Sequence, residues 1–289
     1  MRSRRYLQLD VFAERVGAGN PLAVVLDADD LDDARMQSFA AWTHLPETIF
    51  LLPPPPGADY RVRIFTPTQE LPFAGHPSVG AAWAALDAGW APAAAGQLLQ
   101  DCAAGRLPVR VERSGARVRI AVRAPRARPC EVDGVRPRAI ERAFAGAARG
   151  ALDVRLWDNG PRWWLLELAD EAAVRGLRAD LAAIRAATDG HALGVAVFAR
   201  GGEGADADYV VRAFCPGDGI DEDPVTGSAN AAIAAALLEA GRVAPGSAYR
   251  VSQGRELGRD GRVEVSVDED GEVWVGGEVQ ATIRGRLTW

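Results

Sequence analysis

Acidic residues, one well-placed imidazole and two glycine-led helices are what this sequence offers to chemistry. Glu47 stands where a helical segment gives way to a strand-like one, in Pro46-Glu47-Thr48-Ile49-Phe50. A loop with Glu70, Gly75 and His76 leads into an Ala-rich stretch, and a second loop with Asp221, Glu222, Asp223, Thr226, Gly227 and Ser228 leads into another. A helix that begins at Gly presents bare backbone N–H groups at the positive end of its dipole, a natural seat for a carboxylate. Such a set suits proton transfer beside a carboxylate or a conjugated carbonyl: the amides bind the anion while a tuned base moves the proton. That chemistry calls for no metal and no redox cofactor.

Composition narrows the alternatives. All 33 basic residues are Arg, so without lysine there is no pyridoxal aldimine, no Schiff-base aldolase and no Walker A lysine. The three cysteines, Cys102, Cys130 and Cys215, are far apart and form no CxxC pair, and are expected to be reduced, buried thiols. A net charge of -6 provides no basic footprint for nucleic acid or anionic lipid. No apolar run approaches the roughly 18 residues of a membrane helix. The basic start, Met1 to Arg5, runs straight into an alternating segment rather than a signal-peptide core, so a cytoplasmic protein is expected.

At 289 residues the chain is long for one core, and two domains of comparable size are expected, 1–124 and 125–289, with the last strand free to return to the first. The Arg- and Pro-rich stretch from Arg123 to Val135 is the boundary. Alternation predicts strands over Tyr6–Phe12, Leu22–Leu26, Thr48–Leu52 and Tyr60–Phe65, and a hairpin over Leu107–Val122. Asp29 to Asp33 reads as the capped, acidic start of a helix over Ala34–Thr43. In the second half Ala151–Leu168, Gly194–Phe198 and Tyr209–Phe214 read as strands and Asp170–Thr188 as helix. The Ala-rich segments Pro77–Gly89 and Gly227–Gly241 read as helices closed by Gly.

These pieces repeat. Arg63-Ile64-Phe65-Thr66-Pro67 matches Arg212-Ala213-Phe214-Cys215-Pro216, each followed by an acidic loop and an Ala-rich helix, and aligning Gly75 with Gly227 also aligns Gly89 with Gly241. Two copies of one strand-loop-helix unit are expected. If they face each other across a pseudo-twofold axis, both helix starts point into one cleft.

Four segments carry a family resemblance: Asp10-Val11-Phe12 with Gly19-Asn20-Pro21-Leu22-Ala23-Val24-Val25; Pro46-Glu47-Thr48-Ile49-Phe50; Glu70-Leu71-Pro72-Phe73-Ala74-Gly75-His76-Pro77; and Glu222-Asp223-Pro224-Val225-Thr226-Gly227-Ser228-Ala229-Asn230. In this order they resemble the successive signatures of the PhzF phenazine-biosynthesis family, with a weaker late match at Gln253-Gly254 and Gly258-Arg259. The resemblance implies the α+β fold of diaminopimelate epimerase. That fold has two similar domains, each a curled, mostly antiparallel, barrel-like sheet around a central helix, with the active site in the cleft between them. It implies a cofactor-independent isomerase of the trans-2,3-dihydro-3-hydroxyanthranilate type, acting on a small carboxylated metabolite as a homodimer. Glu47 would be the proton-moving base, with His76 and Asp223 assisting. Gly75, Gly227 and Ser228 would bind substrate, and Asp223, near a helix start, would stay ionised. The positions of the two catalytic cysteines of the related epimerases hold Ala74 and Thr226, which disfavours cysteine-based racemisation.

Pro46 in place of a frequent Ser, Ser78 in place of Thr and Asp260 in place of Pro depart from the family pattern without removing a catalytic group. Two other functions stay open at this point: an epimerase or racemase using Glu47 and Asp223, and a non-catalytic protein that uses the same fold to bind a ligand or partner. Glu47 also has a reading as a surface carboxylate, His76 as a packing residue, and Asp223 and Ser228 as helix caps. His44 and His191 are expected to be ordinary surface or packing residues, and the Trp163-Trp164 pair to fill core.

Overall fold

The computed structural model describes residues 2–92, 96–115, 117–134 and 137–289. Two compact units emerge: residues up to Arg123 together with Gly276–Trp289, and Ala124–Val275. The chain passes from the first to the second inside the Arg- and Pro-rich stretch, whose last expected residue, Val135, lies outside the described residues.

The first unit is a closed ring of strands. Ser3–Val11 pairs antiparallel with Asn20–Val25, which runs parallel to Glu47–Leu52, which pairs antiparallel with Tyr60–Phe65. Tyr60–Phe65 then meets Gln97–Cys102 in parallel, and Gly105–Ser114 and Arg117–Arg123 follow as antiparallel neighbours. The final strand, Val273–Thr288, pairs with both Arg117–Arg123 and Ser3–Val11, which closes an eight-stranded barrel and leaves no free edge there. Inside lies the helix Gly75–Asp87, touching six of these strands. Only small side chains fit an axis enclosed on all sides, hence the Ala-rich sequence: ten of its thirteen residues are buried. A second helix, Asp33–Thr43, lies outside the ring and is capped by the Asp32 carboxylate, which accepts from Arg35 N. It adds Phe39 and Met36 to a cluster with Phe50, Phe65 and Leu31.

The second unit uses the same succession of joints. Arg155–Asp158 pairs antiparallel with Arg162–Glu167, then come Gly194–Arg200 in parallel, Tyr209–Cys215 antiparallel, Ala248–Gln253 in parallel and Gly261–Val267 antiparallel. The helix Gly227–Glu239 is its buried counterpart of Gly75–Asp87. Three short helices cover the outside, Pro137–Ala143, Glu171–Arg175 and Leu181–Thr188. With a helix on each face, Gly194–Phe198 and all of Tyr209–Cys215 are buried, which is why they read as continuous apolar runs rather than alternating ones.

Three expectations need correction. The span Ala151–Leu168 is not strand throughout but a hairpin of Arg155–Asp158 with Arg162–Glu167, turned at Asn159-Gly160-Pro161. The segment Asp170–Thr188 is two helices, because Gly176 caps the first and Asp180, accepting from Ala183 N, starts the second. Of the three free cysteines only Cys215 is buried; Cys102 and Cys130 are partly exposed.

Candidate active site

Glu47 opens the strand Glu47–Leu52 four residues after the outer helix ends. His44 makes that end: it adopts φ 56°, the left-handed conformation that stops a helix, and donates its N–H to Ala40 O. The adjoining Thr43 and Thr48 hydroxyls lie 3.0 Å apart and tie the helix to the strand. Glu47 is thereby held on a fixed strand end, opposite Leu22 in the register.

Its carboxylate faces the first central helix. Glu47 Oε2 lies 3.3 Å from His76 Nε2, with the glutamate side chain 17% exposed and the imidazole 4%. Burial pushes His76 down to about 3, since no water is left to hydrate an imidazolium. At neutral pH the contact is therefore a carboxyl group against a neutral imidazole, not an ion pair. Among the described residues His76 Nε2 has no aligned hydrogen-bond partner, so the ring can reorient its bonding when a third group enters. Gly75 and His76 begin the helix, and Ala74 before them has no side chain to cap it. Farther along, Ser78 Oγ accepts from Gln100 Nε2 at 3.0 Å, and Gln100 Oε1 accepts from Tyr60 O–H at 3.2 Å, which anchors this first turn to the barrel wall.

In the second unit, Asp223 ends the short strand Ile220–Asp223, and its Oδ2 accepts from Thr226 O–H at 2.6 Å. Gly227 starts the central helix, with no side-chain cap from Thr226. Ser228 is half-buried: its Oγ accepts from the Trp163 indole N–H at 3.0 Å and its carbonyl from Asn159 Nδ2 at 2.9 Å. With the indole as donor, the serine hydroxyl hydrogen is left to point elsewhere. Trp163 thus combines core filling with orientation of Ser228. The contact with Ser228 went unread for both Trp163 and Asn159 because nothing in Asp158-Asn159-Gly160-Pro161-Arg162-Trp163 marks spatial proximity to residue 228.

Two further loop acids, Glu70 and Glu222, are structural. Each forms a two-pronged ion pair with the arginine of its own repeat, Arg63 with Glu70 and Arg212 with Glu222. Each guanidinium also covers a phenylalanine two residues on, Phe65 at 5.1 Å and Phe214 at 4.9 Å. His191 accepts from the Trp164 indole N–H, a packing role, and His44 is the exposed helix cap. Among the described residues no group of three or more His, Cys, Asp or Glu is arranged to hold a metal ion, and no helix is long and apolar enough to cross a membrane.

The profile of the PhzC-PhzF family, described as phenazine biosynthesis-like protein, matches residues 9–285. The trans-2,3-dihydro-3-hydroxyanthranilate isomerase of Pseudomonas aeruginosa is 35% identical over 286 residues, 98% of each chain. A Schizosaccharomyces pombe protein named antisense-enhancing sequence 1 is 30% identical over 296 residues, 99% of each chain. A crystal structure of a PhzF-family protein from Bacillus anthracis superposes over the whole of both chains with a TM-score of 0.84 at 22% identity. The fold is therefore the expected α+β one, two similar epimerase-like domains.

Proposed function

Because the chain belongs to the phenazine biosynthesis-like PhzC-PhzF family, we propose that this isomerase moves a proton and a double bond within a small carboxylated metabolite, without a cofactor, and that Glu47 is its base. The observation that carries the reading is the buried Glu47–His76 contact at the start of an uncapped helix. A carboxylate on a rigid strand end can take a proton from a carbon made acidic by a neighbouring conjugated carbonyl. It then returns that proton at the far end of the shifted double bond. A neutral His76 can donate to or accept from the substrate without competing as a charged acid. Gly75 and Gly227 offer backbone N–H groups to the carboxylate, and Ser228 offers its hydroxyl. Asp223 assists proton traffic as an ionised carboxylate.

The substrate proposed is trans-2,3-dihydro-3-hydroxyanthranilate or a close relative, as named for the Pseudomonas aeruginosa protein. Following its ultraviolet spectrum with the purified protein tests this: loss of the diene absorbance at a rate proportional to enzyme supports it, and no change rejects this substrate. Recovery of a product differing only in configuration would instead make the protein an epimerase. The family resemblance also leads us to propose a cytoplasmic homodimer, which sedimentation and cell fractionation check.

A further inference from the structure

We propose that Thr226 and Gln253 are positioning residues that lock Asp223 in its ionised form, an inference that rests on the proposed role of Asp223 in proton handling. Gln253 is wholly buried, and its side-chain amide makes four hydrogen bonds. Its Oε1 accepts from Thr226 N and from Asn230 Nδ2, each at 3.1 Å; its Nε2 donates to the Asp223 carbonyl at 3.1 Å and to Thr226 Oγ1 at 2.9 Å. Only this orientation works. Turned over, the amide would set its NH2 against two N–H donors and its oxygen against a carbonyl.

The direction of the rest follows. A hydroxyl has one hydrogen, and with Gln253 donating to Thr226 Oγ1 that hydrogen is sent to Asp223 Oδ2, 2.6 Å away. The result is a one-way relay, Gln253 to Thr226 to Asp223, ending on a carboxylate oxygen. Such a charge-assisted bond favours the ionised acid. Protonation of Oδ2 would forfeit this charge-assisted bond, so the relay favours the carboxylate over the acid.

Local structure shows that this arrangement displaces an alternative. Thr226 occupies the N-cap position of the helix Gly227–Glu239, where a threonine hydroxyl ordinarily accepts from an N–H of the first turn, yet it makes no cap bond. Its oxygen accepts from Gln253 and its hydrogen serves Asp223 instead. Asn230, one turn on, closes the set by donating to both the Thr226 carbonyl and Gln253 Oε1.

The test reads Asp223 directly and needs no substrate. The carboxyl carbon of Asp223 in isotopically labelled full-length protein, assigned by its loss in Asp223→Asn, is titrated by nuclear magnetic resonance. Thr226→Val keeps shape but removes the hydroxyl, and the midpoint is expected to rise by about 1 pH unit; Thr226→Ser restores the hydroxyl and the wild-type midpoint. Gln253→Glu, which turns the threonine hydrogen away from Asp223, is expected to raise it as well. An unchanged midpoint in both Thr226→Val and Gln253→Glu overturns the proposal, as does failure of Thr226→Ser to restore it. Failure of the isomerase reading registers separately, as absence of turnover by the wild type.

Discussion

The two units are built alike yet equipped differently. Phe65 pairs with Thr48 in the first and Phe214 with Val195 in the second, so the residue preceding each partner occupies the same place: Glu47 in one, Gly194 in the other. Likewise Ile64 lies opposite Leu71 and Ala213 opposite Asp223. Each acid therefore has an apolar or side-chain-free counterpart in the other copy. The scaffold around them did not diverge in this way. Both central helices run thirteen residues and end with the same hydrogen bonds, Ala88 N to Ala84 O and Gly89 N to Leu86 O in one, Ala240 N to Ala236 O and Gly241 N to Leu238 O in the other. Two equivalent frames thus carry different side chains at matching strand ends.

Stability is the first place to sharpen this contrast. The Arg212–Glu222 pair is nearly dry, 9% and 8% exposed, and Arg212 also donates to the Val174 and Leu177 carbonyls, whereas Arg63 and Glu70 are 23% and 34% exposed. Arg212→Met should lower the unfolding free energy by about 3–5 kcal/mol, because Glu222 is left buried and uncompensated. Arg63→Met should cost no more than about 1 kcal/mol. Urea titration of the two variants reads the difference; equal losses would show that the repeats use the pair in the same way.

Next is the position equivalent to the base. A Cβ on Gly194 would stand 2.0 Å from the Phe214 carbonyl oxygen, so Gly194→Ala should destabilise by about 3 kcal/mol through forced backbone movement, measured by thermal or urea unfolding. A neutral outcome would mean that the second copy could have carried a base and that glycine there is incidental.

The third prediction concerns acid. His76 in the folded protein is pushed down to about 3, below the ordinary value of 6.5, so the unfolded chain binds the extra proton between those limits. Stability from this group is complete above pH 6.5 and is lost as pH falls toward 3, by about 2 kcal/mol at pH 5. His76→Gln should remove that part of the slope. The equivalent position in the second unit holds Ser228, which does not titrate, and Ser228→Ala should leave the slope unchanged.

How far the sequence reveals this division depends on what encodes each part. The repeat was legible because buried helices and strands constrain their residues strongly: Arg63-Ile64-Phe65 and Arg212-Ala213-Phe214 fall on matching strands, and Gly89 and Gly241 close matching helices. Glu47 and His76 were legible through their motifs, although only coordinates bring them within 3.3 Å. The loop acids Glu70 and Glu222 looked like chemistry and are arginine partners, since spacing alone cannot tell an acid that faces a substrate from one that meets a strand arginine. Trp163 and Gln253 escaped as functional candidates because they reach the second helix start from 65 and 27 residues away in sequence, by folding rather than by pattern. The short helix Pro137–Ala143, just beyond the Arg- and Pro-rich boundary, was given no element, because with Ile140 as its buried residue it shows no apolar period to read.

Everything proposed for this site turns on Glu47 moving the proton. Single-turnover reaction of trans-2,3-dihydro-3-hydroxyanthranilate in deuterated buffer, with wild type and Glu47→Gln, tests it most directly. The account predicts product formation by the wild type, with deuterium at the carbon that gains hydrogen to the extent that Glu47 exchanges with solvent. It also predicts a rate at least about 10²-fold lower for Glu47→Gln with its fold intact. Undiminished turnover by Glu47→Gln would contradict it and move the search for the base to another residue.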